Sequence, residues 1–208
     1  MILELFLVSS LTGLLIYMYD IIYNTQPISS LMKLVWGLSI LYSGLLGLVI
    51  YWYSGRKEIE EDSLYKRGFR STAHCYSGCG MGEILGVIIA ALLFNGTALY
   101  VAMFSFSLAY VFGFALTIGP LMQDGIQFKS AFFDALTTET ASITVMEIVA
   151  IGVDIVIVST LNLTIIDPLF WVSLFVSLSL GFIAAFPANT ILIHVGVKEG
   201  MMSPKQMS

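Results

Sequence analysis

The chain has 208 residues, 58% of them hydrophobic and 11% charged, with a net charge of −5 and a mean hydropathy of +0.91. Soluble domains are nearer half apolar and a quarter charged, so the composition points to an integral membrane protein with the lipid bilayer as its first partner. No basic patch is available to neutralise phosphates, which excludes a nucleic-acid partner. No Gly-rich phosphate loop, nucleophile elbow or zinc-protease helix occurs, so no enzymatic reaction is assigned.

A crossing helix needs about 20 mostly apolar residues. Six stretches qualify: 2–23, 31–53, 73–94, 98–122, 131–159 and 168–195. The expected fold is therefore one all-α transmembrane domain over 1–208. Residues 1–23 lack a basic leader and a small-residue cleavage site, so they read as a retained helix. A turn containing Pro27 follows, and Asn95-Gly96-Thr97 is a second tight turn. Pro168 suits a first helical turn, with Asp167 before it as a cap. The loop 54–72 holds Arg56, Lys57, Lys66, Arg67 and Arg70 among Glu58, Glu60, Glu61 and Asp62. Basic residues favour the cytoplasm, which puts this loop, the tail 198–208 and both termini inside. Lys129, Lys198 and Lys205 agree, and only Lys33 falls at an outer end. Tyr51-Trp52-Tyr53 then lies at the inner interface and Trp171 at the outer one. Glycosylation sequons at Asn95 and Asn162 fall on outer turns, where chance occurrence is the competing reading. The two halves of the chain show no internal repeat.

The third stretch carries His74, Cys75, Cys79, Met81 and Glu83. Helical neighbours recur at three and four residues, so Cys75, Cys79 and Glu83 share one stripe. His74, Gly78, Gly82 and Gly86 form the adjacent stripe, whose small residues let helices approach closely. A cytoplasmic end is reducing, which disfavours a disulfide. Free thiols beside a histidine suit Cu(I) or Zn(II). The competing reading is that both cysteines pack as small hydrophobes.

In the fifth stretch Glu139, Glu147 and Asp154 fall at spacings that share one helical face, while Asp134 and Asp154 lie near the helix ends and read as solvated or capping. Carboxylates inside a membrane are an ion- or proton-pathway hypothesis, which names Glu83, Glu139 and Glu147. The alternative is a neutral Glu bonded to a Ser, a Thr or a backbone carbonyl. In the sixth stretch Pro187 removes a backbone donor and is expected to break the helix, with Asn189 able to repair it. His194 follows at a depth similar to His74, so a cluster of His74, Cys75, Cys79 and His194 is conceivable if the two helices are neighbours. The tail adds Met201, Met202 and Met207.

Three segments resemble an uncharacterised prokaryotic membrane family, catalogued as domain of unknown function 4396. They are His74-Cys75 with Ser77-Gly78-Cys79 and Gly82-Glu83, then Thr140 through Glu147, and then Pro168-Leu169-Phe170-Trp171 through Pro187-Ala188-Asn189 and Leu192-Ile193. The resemblance spans roughly 70–200. It implies a multi-pass domain of a prokaryotic inner membrane, a link to copper handling, and no established activity. Glu83 stands where the family often has Asp, and the His-rich tail of some members is absent.

The leading expectation is a protein that binds a soft metal, copper first, through His74, Cys75, Cys79 and His194. Glu83, Glu139 and Glu147 would then carry metal or protons across. One rival is an accessory subunit of a larger respiratory or metalloenzyme complex, with haem, quinone or partner helices on the polar stripes. A second rival is a transporter of another cation or small solute. A homo-oligomer is compatible with each.

Overall fold

The structure, a computed structural model, describes residues 2–24, 28–56, 62–96, 98–123 and 125–201. These residues form seven helices and no strand: α1 (Ile2–Tyr23), α2 (Ser30–Ser43), α3 (Leu45–Ser54), α4 (Leu64–Phe94), α5 (Ala98–Gln123), α6 (Phe128–Leu161) and α7 (Pro168–His194). Five of them, α1 and α4 to α7, are long and apolar enough to cross a membrane. In lipid every backbone polar group must be satisfied internally, which is why long apolar runs settle as helices. Their ends carry ordinary signals. Ser29 and Ser63 cap α2 and α4, accepting from the backbone N–H of Met32 and Lys66. Asn95 and Asn162 end α4 and α6 in left-handed conformation, with φ of 55° and 50°.

The largest departure from expectation lies in 31–53, which is not one crossing helix. Gly44 breaks it with φ of +60°, a conformation that strains any side chain. A Cβ at Gly44 would also stand 2.3 Å from Ser9 Oγ. Beyond the glycine the chain reverses. The Trp36 ring meets the Tyr51 ring at 5.5 Å between centroids, and Gly55 packs against the same indole. Residues 36 and 51 would be about 22 Å apart on a straight helix. The helices α2 and α3 therefore form a hairpin. They measure about 21 Å and 15 Å, both short of a hydrocarbon core of about 30 Å.

The hairpin reorders the two ends of the bundle. Along α1, Tyr17 donates to the Lys33 carbonyl at 2.8 Å, and Ser9 accepts from the Leu45 N–H at 3.0 Å. Near the C-terminus of α1, the buried Asp20 accepts from Tyr51 at 2.7 Å and pairs with Arg56 at 2.9 Å. Both ends of the hairpin thus lie beside the C-terminus of α1. At its other end, Phe6 stacks on Phe175, two turns into α7. Ile2 and Met201 consequently sit at opposite ends of the bundle, so the described residues do not bear out the expectation that both termini share one side. Lys33 joins Arg56, Lys66, Arg67, Arg70, Lys129 and Lys198 at one end. We call this the basic end. Lys57, Glu58, Glu60, Glu61, Pro27, Thr97, Met202, Lys205 and Met207 lie outside the described residues.

Three smaller expectations also change. The fourth helix begins at Leu64 rather than 73, so Lys66, Arg67 and Arg70 ride on its first turns. The last helix runs through Pro187 without interruption. Asp167 does not cap it with its side chain; the carboxylate turns back to the N–H and hydroxyl of Thr164, both at 2.7 Å.

The core is organised around α4, which touches α2, α3, α5, α6 and α7. The small-residue stripe is the reason. A Cβ on Gly78, Gly82 or Gly86 would come within 2.9, 2.2 and 2.4 Å of backbone atoms of Gly113, Ala109 and Ser105 on α5. Two antiparallel helices with small residues every fourth position interlock there, as the spacing led one to expect.

Candidate functional site

The close α4–α5 contact turns the other stripe of α4 toward α6. Cys75, Cys79 and Glu83 meet Glu139, Ser142 and Glu147, and all six side chains are buried. Successive acids on α6 are about 12 Å and 10 Å apart along the axis, so Glu139, Glu147 and Asp154 mark depths through the bundle, with Glu83 alongside.

At the basic end the line is closed by an ion pair. Lys198 Nζ lies 2.7 Å from Glu139 Oε2, donates to Asn189 Oδ1 at 3.0 Å and lies 3.9 Å from Cys75 Sγ. The Cys75 thiol donates to the same Glu139 oxygen at 2.9 Å and lies 3.5 Å from Ser142 Oγ. Asn189 also donates to the Ala185 carbonyl, so it tethers the lysine to α7 in the turn that contains Pro187. His74 is buried beside this group, close to the backbone of Leu116 and within electrostatic reach of Glu139 and Lys198. Lys198 arrives there because the chain reverses after α7 through Gly196 and Gly200, each with φ of 78°. The reversal is held by Arg70, whose Nε donates to the Met201 carbonyl at 2.8 Å and Nη1 to the Ser54 carbonyl at 2.9 Å, and which also pairs with Asp62. Met201 N–H donates to Ser71.

The middle of the line is different in kind. Both carboxylate oxygens of Glu83 and both of Glu147 are buried without a hydrogen-bond partner. Cys79 lies near enough to Glu147 to interact with it, yet neither Glu147 oxygen has a bond of ordinary geometry. Beyond Glu83 a cavity of about 740 Å³ opens between the C-terminal ends of α4 and α6 and the N-terminal ends of α5 and α7. Glu83 lies on its floor and Asp154 on its wall; Asp154 accepts from Ser173 at 3.0 Å.

The sequence-derived metal set is only partly assembled. His74, Cys75 and Cys79 are buried and the thiols are free, but His194 is exposed at the end of α7. Among the described residues no group of three or more His, Cys, Asp and Glu is gathered to hold a metal ion. The residue missed from sequence is Lys198. One signal could have found it: a lone lysine bracketed by two glycines just past a helix end, facing a helix that carries an unpaired acid.

Residues 64–198 match the family described as Domain of unknown function (DUF4396). The chain belongs to the DUF4396 family. No curated protein and no solved structure matches it. The span matched by DUF4396 begins with α4 and ends on Lys198, so it contains every acid of the buried line and the lysine that closes it. Helix α1 and the hairpin lie outside the DUF4396 span.

Proposed function

We propose that the chain moves protons or small cations across a prokaryotic plasma membrane along the line Asp154, Glu83, Glu147 and Glu139. The observation that carries this reading is the pair Glu83 and Glu147, whose four buried oxygens have no hydrogen-bond partner. Burying a carboxylate without a partner is expensive, and mid-membrane acids are kept where they take up a proton or cation. The positive-inside rule orients the molecule, because seven described Lys and Arg residues gather at one end. That end is then cytoplasmic, the N-terminus is external, and the cavity faces outward. The hairpin enters from the cytoplasmic side without crossing. Lys198 acts as a tethered cation on Glu139, and an arriving cation must displace it for the route to open.

The test is flux through the full chain reconstituted in vesicles with a trapped pH indicator. Glu147→Gln and Glu83→Gln are expected to lower the flux at least about tenfold, the equivalent of about 1.4 kcal/mol. Wild-type flux no greater than that of empty vesicles, or unaltered flux in both variants, overturns the reading.

A soft-metal cargo is the second reading, favoured by two reduced thiols one turn apart on the same line. Its test is elemental analysis after Cu(I) and Zn(II) loading, beside the Cys75→Ser, Cys79→Ser double variant. Stoichiometric metal that the variant loses supports it, and absence of metal from the wild-type protein removes it.

A further inference from the structure

The cavity above Glu83 is larger and more apolar than a proton route needs. One water needs about 10–15 Å³ of such space, whereas this space measures about 740 Å³. That falls within the range of small-molecule sites, about 300–1,000 Å³. Its walls include Val87, Val101, Ile151, Val158, Phe170 and Leu174. Among the described residues their only charged companions are Glu83 and Asp154, and no Lys, Arg or His lines the space. An anion would find only neutral donors there, such as Ser105, Ser159 and Thr164, facing two acids. A hard metal ion asks for six or more oxygen ligands, and no group of three His, Cys, Asp and Glu is gathered among the described residues. What fits an apolar chamber with an acid floor is a cation that carries its own apolar surface.

We propose that this cavity binds an organic ammonium ion with an apolar substituent, its N–H donors on the Glu83 carboxylate and its substituent against Phe170, Leu174 and Val101. The inference rests on the reading of the acid line as a cation route, to which it adds the substrate class. Two features of Glu83 support it. Glu83 is only 2% exposed, yet both its oxygens are unpartnered, and it lines the cavity. With the side chain turned toward the cavity, an ammonium supplies the charge-assisted hydrogen bonds that the fold withholds from this carboxylate. Asp154, by contrast, already accepts from Ser173, which leaves it to add negative potential on the wall rather than to anchor the nitrogen.

The experiment is isothermal titration of the purified full chain in detergent with 2-phenylethylammonium, compared with neutral 2-phenylethanol. Saturable one-to-one binding of the ammonium is expected, with no saturable binding of the alcohol. Glu83→Gln should weaken the ammonium at least about tenfold, as for other hydrogen bonds to a charged group. Ala102→Trp, which fills the chamber and leaves the carboxylate in place, should abolish binding and serves as the deciding variant if Glu83→Gln does not fold. Absence of saturable ammonium binding to the wild type, equal binding of the alcohol, or full binding by Ala102→Trp overturns the proposal. Vesicle flux separates the two readings. Binding without flux keeps the site and removes the route, and flux without binding keeps the route and removes this substrate class.

Discussion

Lys198 and Glu139 illustrate how one residue outside the helices can govern the interior. Both are nine-tenths buried, and each leaves an uncompensated charge if the other is removed. Lys198→Met should therefore cost about 3–5 kcal/mol of stability, measured by unfolding in detergent. The double variant Lys198→Met, Glu139→Gln should recover part of that loss; a double variant as unstable as the sum of the singles argues that the two do not interact. The pair also fixes a pH dependence. Burial works against the lysine charge, but Cys75 and Glu139 outweigh it and hold the ammonium above the ordinary lysine value of 10.5. A folded-state pKa raised in this way stabilises fully below the unfolded value and is lost as pH rises through the folded one. Thermal stability of the wild type should thus fall more steeply than that of Lys198→Met once pH exceeds the ordinary lysine value, and parallel curves would show that the pair contributes nothing there.

At the scale of elements, glycine decides both the tightest contact and the sharpest turn. Gly82→Ala places a methyl 2.2 Å from the Ala109 backbone nitrogen, so α5 must move. A cost of about 1–3 kcal/mol is expected from overpacking. Gly152→Ala is the control, since no other atom lies within 4 Å of the added methyl; it should be neutral or stabilising by about 0.5–1 kcal/mol. Equal effects at the two positions would show that close α4–α5 packing is not what holds the bundle. Gly44→Ala combines a positive φ with a clash at Ser9 and should loosen the hairpin from α1, seen as faster amide exchange at Leu45 and its neighbours.

For the whole molecule, the hairpin leaves five helices long and apolar enough to cross a membrane where the sequence offers six stretches. In a Cys75→Ser, Cys79→Ser background, cysteines introduced as Glu4→Cys and Glu199→Cys should react with a membrane-impermeant maleimide from opposite sides. Both original positions are exposed in the structure. Labelling from the same side would restore six crossings and return the N-terminus to the basic end.

The sequence by itself determined that this is a helical membrane protein, where most helices run, and which stripe of α4 packs closely. These follow from local composition and spacing, because transfer into lipid is a sum over adjacent residues and a helix repeats its faces every three to four positions. The acids of α6 could likewise be set on one face. Hydropathy could not reveal the hairpin, since Gly44 reverses the chain without interrupting the apolar run, and contacts between distant residues, such as Ser9 with Leu45 and Tyr51 with Asp20, hold the reversal. For the same reason Lys33 looked like an exception to the charge rule. The partner of Glu139 was equally out of reach, because Lys198 lies 59 residues away along the chain. On chemistry alone the sequence sets His194, not Lys198, beside His74, Cys75 and Cys79. The tertiary structure also decided that Glu83 faces a chamber while Cys75 faces a carboxylate. Which neighbour a side chain meets across a bundle depends on how helices rotate against one another, and that rotation is set by packing between segments distant in sequence.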